Sequence, residues 1–299
     1  MSTVLLENDR MRVRVEPGYG ARVTSLLDRQ SGREWIAQGQ TSPKTGEDAE
    51  YAGDEAVGWD ECFPTVAPWD ASHTAWGRKL RDHGDLWGRP FAVEEQTPTA
   101  LRLNYTDPQF RFTRELRLDG VSLIARYRVE NRTDQSLPYL WALHGLLAVT
   151  DADSIELPEV ETVSATYLSL GDTFLSVPRL AWSKPNGVLP FTLDKVQPAS
   201  SVFAGKFYAG VPGRTARVGR PGQWLELVWD QGIDQLGIWL TYGGWPGPGG
   251  HHEIALEPTN AAADTLGEAI DAGAPPLAPG ERRDWRVTLS LHPEHRTPR

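Results

Sequence analysis

The stretch that decides the fold is 110–131, FRFTRELRLDGVSLIARYRVEN. Apolar residues alternate with polar or charged ones on both sides of Asp119-Gly120, the period-two pattern of strands with one buried face. Asp-Gly suits a two-residue hairpin turn, whose two central positions need positive φ. An antiparallel hairpin turning on Asp119 and Gly120 is therefore expected. Working outward, strand patterns recur at MRVRVEP (11–17), TALRLNYT (99–106), LPYLWALHGLLAV (137–149) and SSVFAGKFYAG (200–210). They continue at WLELVWD (224–230), QLGIWLTYGG (235–244), HHEIALEP (251–258) and DWRVTLSLH (284–292). Only NAAADTLGEAI (260–270) reads as a helix, with Asn260 placed to cap it and Leu266 and Ile270 four apart on one face. Two stretches, roughly 38–90 and 243–252, are irregular and long enough to carry function. About fifteen strands with no repeat of propeller length predict an all-β chain, a large antiparallel β-sandwich with little helix, spanning 1–299 as a single domain.

The chain has 299 residues, 39% hydrophobic and 23% charged, enough to bury a full core. Its formal net charge of −10 argues against nucleic acid and against an anionic membrane as partners. The N-terminal residues carry no basic-then-apolar signal, and no run approaches the length of a membrane span, so a cytoplasmic location is expected. Cys62 is the one cysteine, which rules out an intrachain disulfide and a zinc site built on several thiolates. DECFPT places no basic partner beside it, so it reads as a small buried hydrophobe.

Three segments carry candidate chemistry. LRDHGDLWGRPF (80–91) sets His83, Trp87 and Arg89 close together in a polar stretch. Indole faces stack on sugars while Arg and His donate to hydroxyls, so this composition suits a carbohydrate site as well as an ordinary surface loop. In YLWALHGLLAV, His144 is the one strongly polar residue of a run fit for burial; it is either a satisfied core histidine or a group facing a pocket. In HHEIALEPTN, alternation places Ile254 and Leu256 on one face and Ala255 and Glu257 on the other. Pro258 is expected to end the ladder and leave Glu257 at a strand terminus. His251, His252 and Glu253 do not have the spacing of a metal site, and none is expected. GxSxG, GxGxxG and phosphate-binding-loop patterns are missing, and GPGG near 248 reads as a turn.

Taken together, these segments resemble the aldose 1-epimerase (galactose mutarotase-like) family. GARVTSLLDRQSGREW (20–35) resembles its opening strands, and GWDECFPTVAP (58–68) sits where the family has its first substrate-facing loop. DHGDLWGRPF (82–91) resembles its His-Gly and Arg segment, NRTDQSLPYLWALHG (131–145) the strand of its second histidine, and GIWLTYGG with HHEIALEPTN the strand pair ending in its glutamate. The order holds along nearly the whole chain. The resemblance implies the galactose mutarotase-like supersandwich and a cofactor-independent mutarotase that interconverts the anomers of an aldose. It implies Glu257 as general base, His144 as general acid, His83 as a second substrate-polarising histidine and Arg89 as a hydroxyl-binding residue. Beside these, Asp60 and Glu61 are expected to bind substrate, and Trp87 either to stack on it or to prop the loop. Departures from the family pattern are Asp60-Glu61 in place of Asn-Arg, Asp85 and Trp87 where a phenylalanine is usual, and Gly145 rather than proline after His144. The family's additional substrate-binding aspartate has no match. The expected partner is a small-molecule sugar, and the expected assembly a monomer or homodimer. A sugar phosphate would need Arg78, Lys79, Arg81 and Arg89 around the pocket, whereas Asp60, Glu61, Asp82 and Asp85 nearby favour a neutral or cationic sugar. A carbohydrate-binding or sensing protein without turnover is the alternative on the same fold, and a hydrolase or lyase is a third.

Overall fold

The computed structural model describes residues 3–39, 51 and 56–292. Its strands form two large antiparallel sheets and one short two-stranded ribbon. The larger sheet has eleven strands. Ten of them follow the order Val4–Glu7, Met11–Glu16, Arg22–Asp28, Trp59–Cys62, Ala142–Ala148, His252–Thr259, Gln235–Tyr242, Phe203–Gly210, Thr162–Leu170 and Thr173–Phe174. Arg179–Ala181 is the eleventh and also pairs with Thr162–Leu170. The eight-stranded sheet runs Ser154–Glu156, Thr215–Arg220, Gln223–Trp229, Arg282–His292, Ser122–Asn131, Phe110–Asp119, Ala100–Thr106 and Ala92–Gln96. The β-sandwich with little helix expected from the alternating pattern is what forms.

One core fills the space between the sheets. The inward residues of the deciding hairpin, Phe110, Phe112, Leu116, Leu118, Leu123, Ala125, Tyr127 and Val129, share it with Val13, Leu143, Ile238, Ile254 and Leu256 of the larger sheet. Burying each large apolar side chain contributes ~1.5–3 kcal/mol, so alternation fixes which face turns inward. Arg114 is the polar exception on the inward face. It is fully buried and donates to the Ala21 carbonyl at 2.9 Å, with its guanidinium 4.4 Å from the Trp59 ring centroid.

Three local expectations change. The hairpin forms, but Asp119 pairs with Ser122, so its two-residue loop is Gly120-Val121. Gly120 has φ +55° and Val121 is not among the residues of positive φ, so one left-handed position suffices. The strand His252–Thr259 runs through Pro258, which pairs with Leu236, so Glu257 lies inside the ladder and not at its end. The helix is only Leu266–Asp271, and its cap is Thr265, which forms a reciprocal capping box with Glu268. Asn260 instead accepts from the Trp141 amide at 2.7 Å and donates to the Tyr139 carbonyl at 3.1 Å, while Ala269 takes the buried place expected of Ile270. No helix among the described residues is long and apolar enough to cross a membrane.

Candidate functional site

The outer face of the larger sheet carries the chemistry. His144 lies on Ala142–Ala148, between Trp59–Cys62 on one side and His252–Thr259 on the other. The pairs Ala142–Thr259 and Leu146–Ala255 flank His144 and Glu257, which puts these two residues level with each other on adjacent strands. Because side chains alternate, Ile254 and Leu256 enter the core while Glu257 turns outward with Ala255. A cleft of about 290 Å³ opens over this face. Its polar lining includes His83, His144, Asp82, Lys206, Glu257 and Asp264, and its apolar side includes Leu146, Trp239 and Trp245.

The orientation of His144 comes from the strand beside it. Its register partner is Asp60, whose Oδ1 lies 3.0 Å from His144 Nδ1. Asp60 is itself buried, and Arg22 donates to its Oδ2 at 2.7 Å. Burial opposes ionisation of Asp60, but the Arg22 charge and the His144 contact prevail and hold the carboxyl well below its ordinary range. A carboxylate on Nδ1 fixes the imidazole plane and leaves Nε2 as the working nitrogen.

His83 reaches the cleft from the loop. Its backbone sits at φ +58°, a conformation that costs a non-glycine residue energy, and its amide is held by the Val66 carbonyl at 2.6 Å. The next residue has to be glycine. At Gly84 (φ +70°) an added Cβ would lie 2.1 Å from the Phe63 carbonyl oxygen. The His83 ring stacks on Tyr51 at 3.7 Å between centroids and lies 4.7 Å from the His144 ring. Asp82 Oδ1 is 3.1 Å from its Nδ1. Burial lowers its pKa, with Asp82 pulling the other way, so this imidazole favours the neutral form.

The structure therefore brings Glu257, His144 and His83 to one cleft. It does not bring Arg89, Trp87, Asp60 or Glu61 to the cleft wall. Trp87 is fully buried, donates its indole N–H to the Asp82 carbonyl at 2.8 Å and lies under the Arg81 guanidinium, so it props the loop that presents His83. The Arg89 carbonyl accepts from the Gly20 amide at 2.7 Å, anchoring the end of the loop, and its side chain is not part of the lining. Asp60 acts beneath His144. Glu61 faces the core, where it accepts from Trp59 Nε1 (3.1 Å), Tyr127 Oη (2.9 Å) and Trp141 Nε1 (2.9 Å). Burial pushes its pKa up to about 7, against the pull of Arg114, Tyr127 and Trp141.

With the geometry in place, comparison with known proteins bears on the fold. No protein-family model matches the sequence, and neither does any curated protein. Solved structures do. The Slr1438 protein of Synechocystis sp. PCC 6803 is 18% identical, with a TM-score of 0.69 over 98% of this chain and 96% of that one. A galactose mutarotase related enzyme from Lactobacillus acidophilus is 15% identical, with a TM-score of 0.64 over 97% of each chain. A galactose mutarotase-like protein from Clostridium acetobutylicum is 13% identical, with a TM-score of 0.67 over 97% of this chain and 95% of that one.

The chain has the galactose mutarotase-like fold.

On this mutarotase-like scaffold, several further residues face the cleft without a motif that marks them in the sequence. Lys206, Trp239, Trp245, Tyr51 and Asp264 all line the cleft. Lys206 was findable by the argument applied to His144, since it is the one charged residue in the apolar strand Phe203–Gly210. The two tryptophans were hidden among twelve, nine of which are buried. Cys62, His83 and His144 bring possible ligand atoms within 4.8 Å of one another. Cys62 lies fully buried outside the cleft lining, and burial together with the Asp60 charge pushes its thiol well up, so it stays protonated. His252 turns away, with its Nε2 2.7 Å from the Gln197 carbonyl oxygen.

Proposed function

We propose that the protein is an aldose 1-epimerase acting on a neutral monosaccharide. The observation that carries this reading is the placement of a carboxylate, Glu257, level with an imidazole, His144, on adjacent strands facing one cleft. Anomer interconversion needs a proton taken from the anomeric hydroxyl and one delivered to the ring oxygen. Glu257 takes the first and His144, protonated on Nε2, gives the second. The bond from C1 to the ring oxygen then breaks as the C1 carbonyl forms, the aldehyde turns, and the ring recloses on its other face with the proton transfers reversed. Asp60 holds His144 in line through both directions. His83 polarises a hydroxyl or the ring oxygen from above. Atoms balance without a cofactor, and each well-placed proton-transfer group contributes ~10²–10⁴ in rate.

The lining supports a neutral substrate. Asp82, Asp264 and Glu257 face the cleft with one ammonium, Lys206. None of Arg78, Lys79, Arg81 and Arg89, the basic residues a phosphate would need, lines the cleft, and two of them are engaged elsewhere. Arg78 is paired with Asp85 at 2.5 Å, and Arg81 donates to the Gly84 and Trp87 carbonyls at 2.8 and 2.6 Å. The volume suits a single ring, and Trp239 and Trp245 offer aromatic faces to its apolar side.

The test is exchange NMR between α and β anomers across neutral, amino, acidic and phosphorylated aldoses. Wild type is expected to accelerate exchange of a neutral aldose, and Glu257→Gln and His144→Asn to lose ~10²–10⁴-fold of that rate while still binding sugar. Binding without acceleration by wild type would replace this reading with that of a sugar sensor.

A further inference from the structure

We infer that Lys206 is a positioning residue for Glu257, holding one carboxylate oxygen so that the other faces the sugar. The inference rests on the epimerase reading of the cleft. Lys206 Nζ donates to Glu257 Oε2 in a short contact between two side chains that are 11% and 2% exposed. No hydrogen bond among the described residues engages Glu257 Oε1. A carboxyl group turns easily about its last torsion. Tying down Oε2 removes that freedom and leaves Oε1 as the oxygen that meets the anomeric hydroxyl.

The sheet is built to allow this reach. Lys206 and Glu257 lie on strands separated by Gln235–Tyr242, and the residue of that strand paired with Glu257 is Gly237. An added Cβ at Gly237 would lie 2.9 Å from Glu257 Oε2 and 3.3 Å from the Tyr208 ring. The missing side chain opens the trough through which the ammonium crosses to the carboxylate. The far side of the trough is rigid. Tyr208, paired with Gly237, shares its one hydroxyl proton between the Ala263 carbonyl at 2.8 Å and Asp264 Oδ1 at 2.7 Å, and its ring centroid lies 5.5 Å from Lys206 Nζ.

Stability alone gives little reason for such a pair. Desolvating two charges costs about as much as their attraction returns, and apolar residues of similar volume usually serve as well. A pair placed in a cleft, with one end on the proposed base, has a use that an apolar pair lacks. During proton transfer Oε1 accepts the anomeric proton while Oε2 stays on the ammonium, so the carboxyl does not swing away before the proton is returned.

The experiment compares Lys206→Met, Lys206→Arg and Lys206→Gln in anomer-exchange kinetics, with sugar affinity read from tryptophan fluorescence. Lys206→Met is expected to lower kcat by about 10- to 100-fold with KM changed by no more than about threefold, the size of effect that a misplaced catalytic group produces. Lys206→Arg is expected to recover most of the loss, and Lys206→Met placed on Glu257→Gln to lose nothing further. If Lys206→Met fails to fold, Lys206→Gln, which keeps a donor without the charge, carries the same comparison. Wild-type kcat in the folded variant, or an equal further loss on the Glu257→Gln background, overturns the inference while leaving the epimerase reading standing. No acceleration by wild type removes both.

Discussion

Asp60 and Glu61 are chain neighbours on one short strand, yet they belong to opposite faces of the larger sheet and have opposite fates. Asp60 pairs across the strand with His144 and supports the cleft; Glu61 pairs with Leu143 and points into the core. Both are buried. Asp60 meets a guanidinium and an imidazole, and its carboxyl is held ionised against the burial that opposes it. Glu61 meets two indoles, a phenol and, at 3.5 Å, Arg114, and burial prevails to bring it to about 7. The contrast shows that burial does not decide what an acid does here. The face it takes decides, because the face selects its partners.

The largest effect should come from Asp60→Asn. It removes the charge and leaves one acceptor oxygen where Arg22 and His144 each use one, so stability and activity both respond. Unfolding free energy is expected to fall by ~3 kcal/mol and anomer exchange by about 10²-fold, measured by urea denaturation and exchange NMR. A variant as stable and as fast as wild type would break the assignment of Asp60 to the cleft face.

Glu61 should show itself in pH dependence. Between the ordinary value of 4.5 and about 7 the folded protein holds a proton that the unfolded chain has released. Stability from this group is complete below pH 4.5 and is lost as pH rises through about 7, by up to ~1.4 kcal/mol per pH unit. Asp60 works in the opposite sense, losing its contribution as pH falls below the ordinary aspartate range, so the two windows separate. Urea denaturation at pH 5 and pH 8 should find wild type weaker at pH 8 and Glu61→Gln with a flatter dependence. Equal slopes would show that Glu61 is ionised in the core throughout.

The smallest effect is expected at Arg89, where the family resemblance implied hydroxyl binding and the structure places a loop anchor outside the cleft lining. Arg89→Ala should leave sugar affinity within about twofold of wild type, the ±0.5 kcal/mol typical of substitutions away from a site. A tenfold loss in fluorescence titration would return Arg89 to the cleft.

How far the site was legible follows from the same geometry. Alternation put Ile254 and Leu256 in the core and Glu257 on the other face, and a lone histidine in an apolar run marked His144. Lys206 carried an equal signal in its own strand but had no motif beside it. Trp87 and Arg89 share a short segment with His83, but nearness in sequence does not give side chains a shared direction. In a loop whose backbone turns at His83, Gly84 and Gly88, each of positive φ, that link fails.

By itself the sequence determined the all-β sandwich, because the period-two pattern leaves each strand one face to bury, and it determined that Glu257 could not belong to the core face of its strand. Tertiary structure alone decided which polar groups meet. Asp60 reaches His144 through strand register, Lys206 reaches Glu257 across a glycine on the strand between them, and Glu61 meets the Tyr127 phenol of the facing sheet. These partners lie between 51 and 84 residues apart along the chain. Strand order and register are set by the packing of the whole sandwich, so no local pattern could have carried them.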